Sequence, residues 1–130
     1  MKQIYLFKTV LIFLIALLVS SCASTPEQSD DDLHEVFYET MEDTQAAAVD
    51  ALTALGFKVK KNETNYVEGY RPIKVDLSAR SGGETIGVWL NPAGKDKVYV
   101  KVNTAKSRLS IVGQKTWDNE LIAEMKKALL

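Results

Sequence analysis

The sequence predicts an α+β fold, a two-layer domain in which a four- or five-stranded antiparallel sheet is covered on one face by an N-terminal and a C-terminal helix. Three observations lead there. Apolar residues recur at helical spacing from Leu33 to Leu55, alternate with polar ones from Phe57 to Val102, and return to helical spacing from Trp117 to Leu129. A sheet with one apolar face needs a cover, and two amphipathic helices supply it.

Ahead of that domain, residues 1–21 read as a leader. Lys2 and Lys8 precede an unbroken apolar run from Val10 to Val19, which suits the central region of a signal peptide. It falls well short of the roughly 20 residues that span a bilayer as a helix. Two serines then lead directly into Cys22, the single cysteine of the chain. One thiol cannot close an internal disulfide, and nothing near it in sequence would lower its pKa or share a metal. Residues 23–32, ASTPEQSDDD, are small, polar and acidic apart from Pro26, and read as a tether spanning at most about 35 Å.

From Leu33 the spacing of Leu33, Phe37, Met41, Ala48, Leu52 and Leu55 predicts one helix over 31–55, capped by Ser29 or one of Asp30 to Asp32 and ended by a left-handed Gly56. The period then becomes two. FKVKK places Phe57 and Val59 on one face, NETN at 62–65 is a turn, and YVEGYR over 66–71 is a second strand interrupted by Gly69. IKVDLSAR over 73–80 alternates with Ile73, Val75, Leu77 and Ala79 inward, and SGGE at 81–84 makes the next turn. TIGVWL over 85–90 and VYVKVN over 98–103, joined by the polar NPAGKDK, place Ile86, Val88, Leu90, Val98, Val100 and Val102 inside. The last helix begins at Trp117, with Thr116 available as its cap, and turns Leu121 and Met125 to the core.

The chain has 130 residues, with 16 lysines and arginines against 17 acids. Loss of the leader leaves 14 against 17, a net charge of −3, so no basic balance points to nucleic acid. Residues that usually carry catalysis are sparse. His34, the single histidine, sits among acids at the expected helix start, with no second His or Cys to complete a metal site. No serine has a nucleophile-elbow pattern around it, and SGGE lacks the spacing of a phosphate loop. The expectation is a non-enzymatic protein with no cofactor, no metal and no catalytic residues.

Two features remain as candidate contact surfaces. The outer face of the predicted sheet carries Trp89, Tyr99 and Lys101, which would either grip a glycan, peptide or lipid or stabilise an exposed face by cross-strand packing. The stretch KSRLSIVGQKTW, 106–117, keeps Leu109, Ile111, Val112 and Trp117, and is either a further edge strand or a surface that meets a partner.

Val19-Ser20-Ser21-Cys22 resembles the lipobox of bacterial lipoproteins. That resemblance implies recognition of Val19, Ser20 and Ser21 by a signal peptidase, cleavage before Cys22 and acylation of its thiol. At about 0.8 kcal/mol per buried CH2, two or three chains hold a protein firmly at a membrane. By similarity to the sorting rules of Gram-negative bacteria, Ala23 favours the outer membrane, facing the periplasm. The domain, from AAAVDALTALGFKV to the final helix, resembles small proteobacterial lipoproteins of uncharacterised domain families. More distantly, Leu55, Gly56, Phe57 and Val59 are similar to the sequence that leads from helix to sheet in the helix-grip domains of BamC-like lipoproteins. The resemblance implies a fold and an address, an envelope protein as partner, and no activity. Binding of a small glycan, peptide or lipid ligand on the outer sheet face is the alternative.

Overall fold

The computed structural model describes residues 2–18, 25–29, 32–75, 80–106 and 114–130. The N-terminal segment forms helix α1 (Lys2–Leu18), followed by β1 (Leu33–Phe37), α2 (Met41–Ala54), β2 (Lys58–Glu63), β3 (Tyr66–Tyr70), β4 (Lys74–Val75), β5 (Arg80–Ser81), β6 (Thr85–Pro92), β7 (Val98–Ala105) and α3 (Asp118–Ala128). The fold is α+β. Five strands form one antiparallel sheet in the order β1-β7-β6-β3-β2, and β4 and β5 make a separate two-stranded ribbon.

The expected single helix over 31–55 divides into a strand and a helix. A spacing of four residues keeps side chains on one face both in a helix and in a strand, so Leu33, Phe37 and Met41 satisfy either. Pairing decides between them: Leu33, Glu35 and Phe37 lie opposite Val102, Val100 and Val98. Thr40, extended at φ −67° and ψ 158°, then starts α2, its hydroxyl accepting from the Asp43 amide at 3.1 Å. Glu42 and Asp43 in the first turn complement the helix dipole. Neither Ser29 nor Asp32 serves as a cap, Asp30 and Asp31 lie outside the described residues, and His34 lies on an edge strand.

At the other end of α2, Gly56 is left-handed at φ 86°, and the Phe57 amide bonds back to Leu52 O at 2.9 Å, as expected of a glycine stop. The chain has then crossed the sheet from one edge strand to the other. It returns as a meander that ends beside β1.

The segment 73–80 is the second departure. Only its ends pair, Lys74 with Ser81 and Val75 with Arg80, while 76–79 lie outside the described residues. Ile73 is exposed rather than inward. Pro72 ends the ladder after Tyr70, and the chain leaves the sheet as an arm that rejoins it at Glu84. Arg71 N donates to Glu84 O and Gly83 N to Arg71 O at the base of the arm. Gly82 is obligatory there: at φ 96°, a Cβ on it would lie 2.1 Å from Pro72 O. The sheet reaches five strands because β1 supplies the place that 73–80 does not fill.

The core joins Ala47, Ala48, Ala51 and Leu52 of α2 and Leu121, Ile122 and Met125 of α3 to the inward residues of β3, β6 and β7, with Phe37 and Phe57 at its margins. Every one of these residues lies between Phe37 and Met125, so loss of α1 would take nothing from the core. The cap of α3 also differs from expectation. Trp117, not Thr116, holds the cap position and makes no side-chain bond of its own there. Thr104 on β7 does that work: its hydroxyl accepts from the Trp117 amide at 3.0 Å and donates to Asp118 Oδ1.

Candidate functional site

With both helices on one face, the outer face of the sheet is set by which residues avoid the core. Antiparallel register aligns them in rows across the strands. His34, Lys101, Trp89 and Tyr66 form one row, and Gly87 sits between Asn103 and Glu68 in the next. Trp89 therefore lies directly opposite Lys101, as a shared face requires. Tyr99 lies opposite Asn91, one pair further along, so the two predicted aromatics are diagonal neighbours rather than a pair.

Trp89 has a different partner. Its ring packs on Tyr66 with centroids 5.3 Å apart and planes tilted by 39°. The Tyr66 phenol donates to Glu68 Oε1 at 2.8 Å. Burial, that hydrogen bond, and the nearby charges of Glu68 and Glu63 all raise the phenol pKa, which keeps it a proton donor. Tyr99 is 44% exposed and lies under Lys97, whose Nζ is 5.3 Å from the ring centroid.

The presumed tether turns back onto this face. Pro26 is buried against Gly87, where an added Cβ would come within 2.8 Å of Pro26 Cβ, 2.8 Å of Trp89 Cη2 and 3.1 Å of Tyr66 Oη. Gly87 is thus the floor of a slot that accepts a proline ring between two aromatic side chains. Asp32 fixes the other end of the segment. It accepts from Ser29 N at 2.6 Å and from Asn103 Nδ2 at 2.9 Å, and it is buried. Since Asn103 pairs with Gly87 across β6 and β7, residues 26–29 and Asp32 form a strap over the sheet that starts at β6 and leads to β1.

A second constellation lies at the base of the arm. Glu84, fully buried, accepts from Arg71 Nε at 3.0 Å and Arg71 Nη2 at 2.8 Å, and from Trp117 Nε1. The Arg71 guanidinium stacks 4.8 Å from the Trp117 ring centroid, Lys115 Nζ lies 4.0 Å from it, and Phe57 meets its edge. Trp117, read from sequence as part of an interaction loop, is bound into this buried clip. It joins the arm and the sheet to the start of α3.

No protein-family model matches the chain, and comparison with curated proteins gives no match. The site is therefore defined by its geometry. Of the sequence-predicted residues, the fold brings Trp89, Tyr99 and Lys101 to one face and places Trp117 elsewhere. Val19, Ser20, Ser21 and Cys22, with Leu109, Ile111 and Val112, lie outside the described residues. Pro26, Tyr66, Gly87 and the Asp32–Asn103 bond are the additions. A glycine inside the otherwise strong strand TIGVWL is the one sequence signal for them, since it marks a close approach by another part of the chain. Among the described residues no three His, Cys, Asp or Glu side chains converge as a metal site would need.

Proposed function

We propose that the chain is a lipid-anchored envelope protein, acylated at Cys22 after cleavage behind Ser21, and that it acts at the periplasmic face of the outer membrane as a non-enzymatic interaction or accessory module. The observation that carries this reading is the order of segments: a short basic start, an apolar helix, an aliphatic residue, two small residues and a cysteine. Among the described residues no helix is long and apolar enough to cross a membrane. A self-contained core downstream of the leader supports the same division. The expected partner is another envelope protein, met at a sheet edge or on the outer sheet face.

The test uses labelled palmitate and membrane fractionation in a Gram-negative host. The native chain takes up label and pellets with membranes, whereas Cys22→Ala takes up none and keeps its leader. A Cys22→Ala protein that is still cleaved and still pellets would end the anchor reading.

A second reading, small-ligand binding on the outer sheet face, is favoured by the exposed Tyr99 under Lys97. It loses part of its support at Trp89, which is half-buried with Tyr66 packed against its ring and its tip beside the Gly87 slot.

A further inference from the structure

The slot at Gly87 already holds an occupant, and that occupant is held loosely. Of residues 25–29 only Pro26 is buried, and none of them belongs to the hydrophobic core. Among the described residues Thr25, Glu27 and Gln28 find no hydrogen-bond or ion-pair partner. One ring must therefore offset the backbone freedom lost by the residues around it, which puts this segment at the low end of local stability. Proline suits the position: it brings no N–H to leave unpaired against the sheet, and its φ is fixed before it arrives. Its neighbour suits it less, because Glu27 adds an acid to a face that already carries Glu63, Glu68 and Asp32.

The walls of the slot carry a second sign of a ligand. Trp89 and Tyr66 are both half-buried beside Gly87, which lies on β6, the middle strand of the sheet. The Tyr66 hydroxyl already donates to Glu68, whereas among the described residues the Trp89 indole N–H has no acceptor. An extended proline-containing segment fits this pairing of an apolar slot with a free donor: its ring fills the slot, its carbonyls have no internal partner, and its polyproline conformation is formed before it binds. We propose that the Gly87 slot is a binding site for a proline-containing extended segment of a partner protein, with the chain's own Pro26 as the resident occupant that the partner displaces. A segment without the acid of Glu27 is the better match to the charge around the slot. The assignment deepens the interaction reading above and rests on it, naming the partner's chemistry on the outer sheet face; it does not require an acyl group on Cys22.

The probe is an end-capped decaproline peptide, which carries no charge, added to the chain from Cys22 onward, which keeps every core residue. The two tryptophans give two indole N–H signals in 15N-resolved NMR, and Trp89→Phe tells them apart. Decaproline is expected to shift the Trp89 signal saturably and leave that of Trp117, while an end-capped glycine–serine peptide of equal length moves neither. Pro26→Gly empties the slot and should bind decaproline about tenfold more tightly, since the parent's slot is open only part of the time; binding seen in that variant alone is the same result with a tighter resident. Gly87→Val fills the slot and should abolish binding while circular dichroism shows an intact fold. Should that variant fail to fold, Pro26→Gly, which alters no core residue, decides alone. The assignment is overturned by an unmoved Trp89 signal in Pro26→Gly at millimolar peptide, by equal shifts with the glycine–serine peptide, by equal affinity in parent and Pro26→Gly, or by binding that survives in folded Gly87→Val. A parent dimer that Pro26→Gly dissociates, seen by sedimentation, would overturn it in favour of a second copy's strap. A partner crosslinked to this face through a segment without proline would end it and leave the interaction reading standing, whereas loss of palmitate labelling with the NMR pattern intact would count against the lipoprotein reading alone.

Discussion

Glu84 holds a fully buried carboxylate between the guanidinium of Arg71 and the indole of Trp117. Such a pair contributes little net stability, because both charges leave water to form it, but it is costly to break from one side. Arg71→Met should destabilise the domain by about 3 kcal/mol, read as a lower urea midpoint, because it leaves the carboxylate without its cation. Adding Glu84→Leu should recover most of that loss. Asp118 gives a residue-scale effect of opposite sign. Burial, and then the charges of Asp32 and Glu120, raise its pKa against the lowering bonds from Thr104. A carboxyl that binds its proton more tightly folded than unfolded makes the native state less stable as pH rises from the unfolded value through the folded one. Asp118→Asn keeps an acceptor for Thr104 and removes that charge. The native chain should therefore gain stability relative to Asp118→Asn as pH falls through the acid range, and chemical denaturation at a series of pH values measures it.

The helices and strands divide by how well a spacing determines them. Alternation over 85–90 and 98–103 could be read directly, because strict period two across several β-branched residues fits only a strand, and the structure lengthens both by a turn's approach. The C-terminal helix was equally legible. Leu33, Phe37 and Met41 were not, since every fourth residue fits both periods, and the break after Phe37 depends on pairing with β7, far along the chain. The Thr40 cap is the local signal that could have divided them. Thr40→Ala should cost about 1 kcal/mol in thermal or urea unfolding, whereas Ser29→Ala, at the end expected from spacing, should leave α2 unaffected. The candidate site was legible only in part. Trp89, Tyr99 and Lys101 were placed on one face correctly, but the diagonal register and the Tyr66 partner follow from which residues the turns align. The proline slot needs contact between Pro26 and Gly87, which no local pattern encodes.

At the scale of the whole molecule, charge divides between the two layers only in part. Acids outnumber lysines on α2 and α3, whereas the outer side holds the exposed β2 lysines together with Glu63, Glu68 and, on the strap, Glu27 and Asp32. The two edges of the sheet are also unlike. Lysines on β2 discourage a further strand from adding there, while β1 carries a single acid, Glu35, which reaches Lys126 of α3 at 3.4 Å. A partner that extends the sheet would meet less charge at β1. The pairing of β1 with β7 has a kinetic side as well. Leu33 must wait for Val102, so a chain made from its N terminus exposes its first strand long before the partner exists. Loop closure across most of the domain then comes late, after the β2-β3-β6-β7 meander has formed from nearer neighbours. Until that moment both the strap and β1 are open, which makes the N-terminal end of the domain the last part of the sheet to become native and the first that a chaperone could hold.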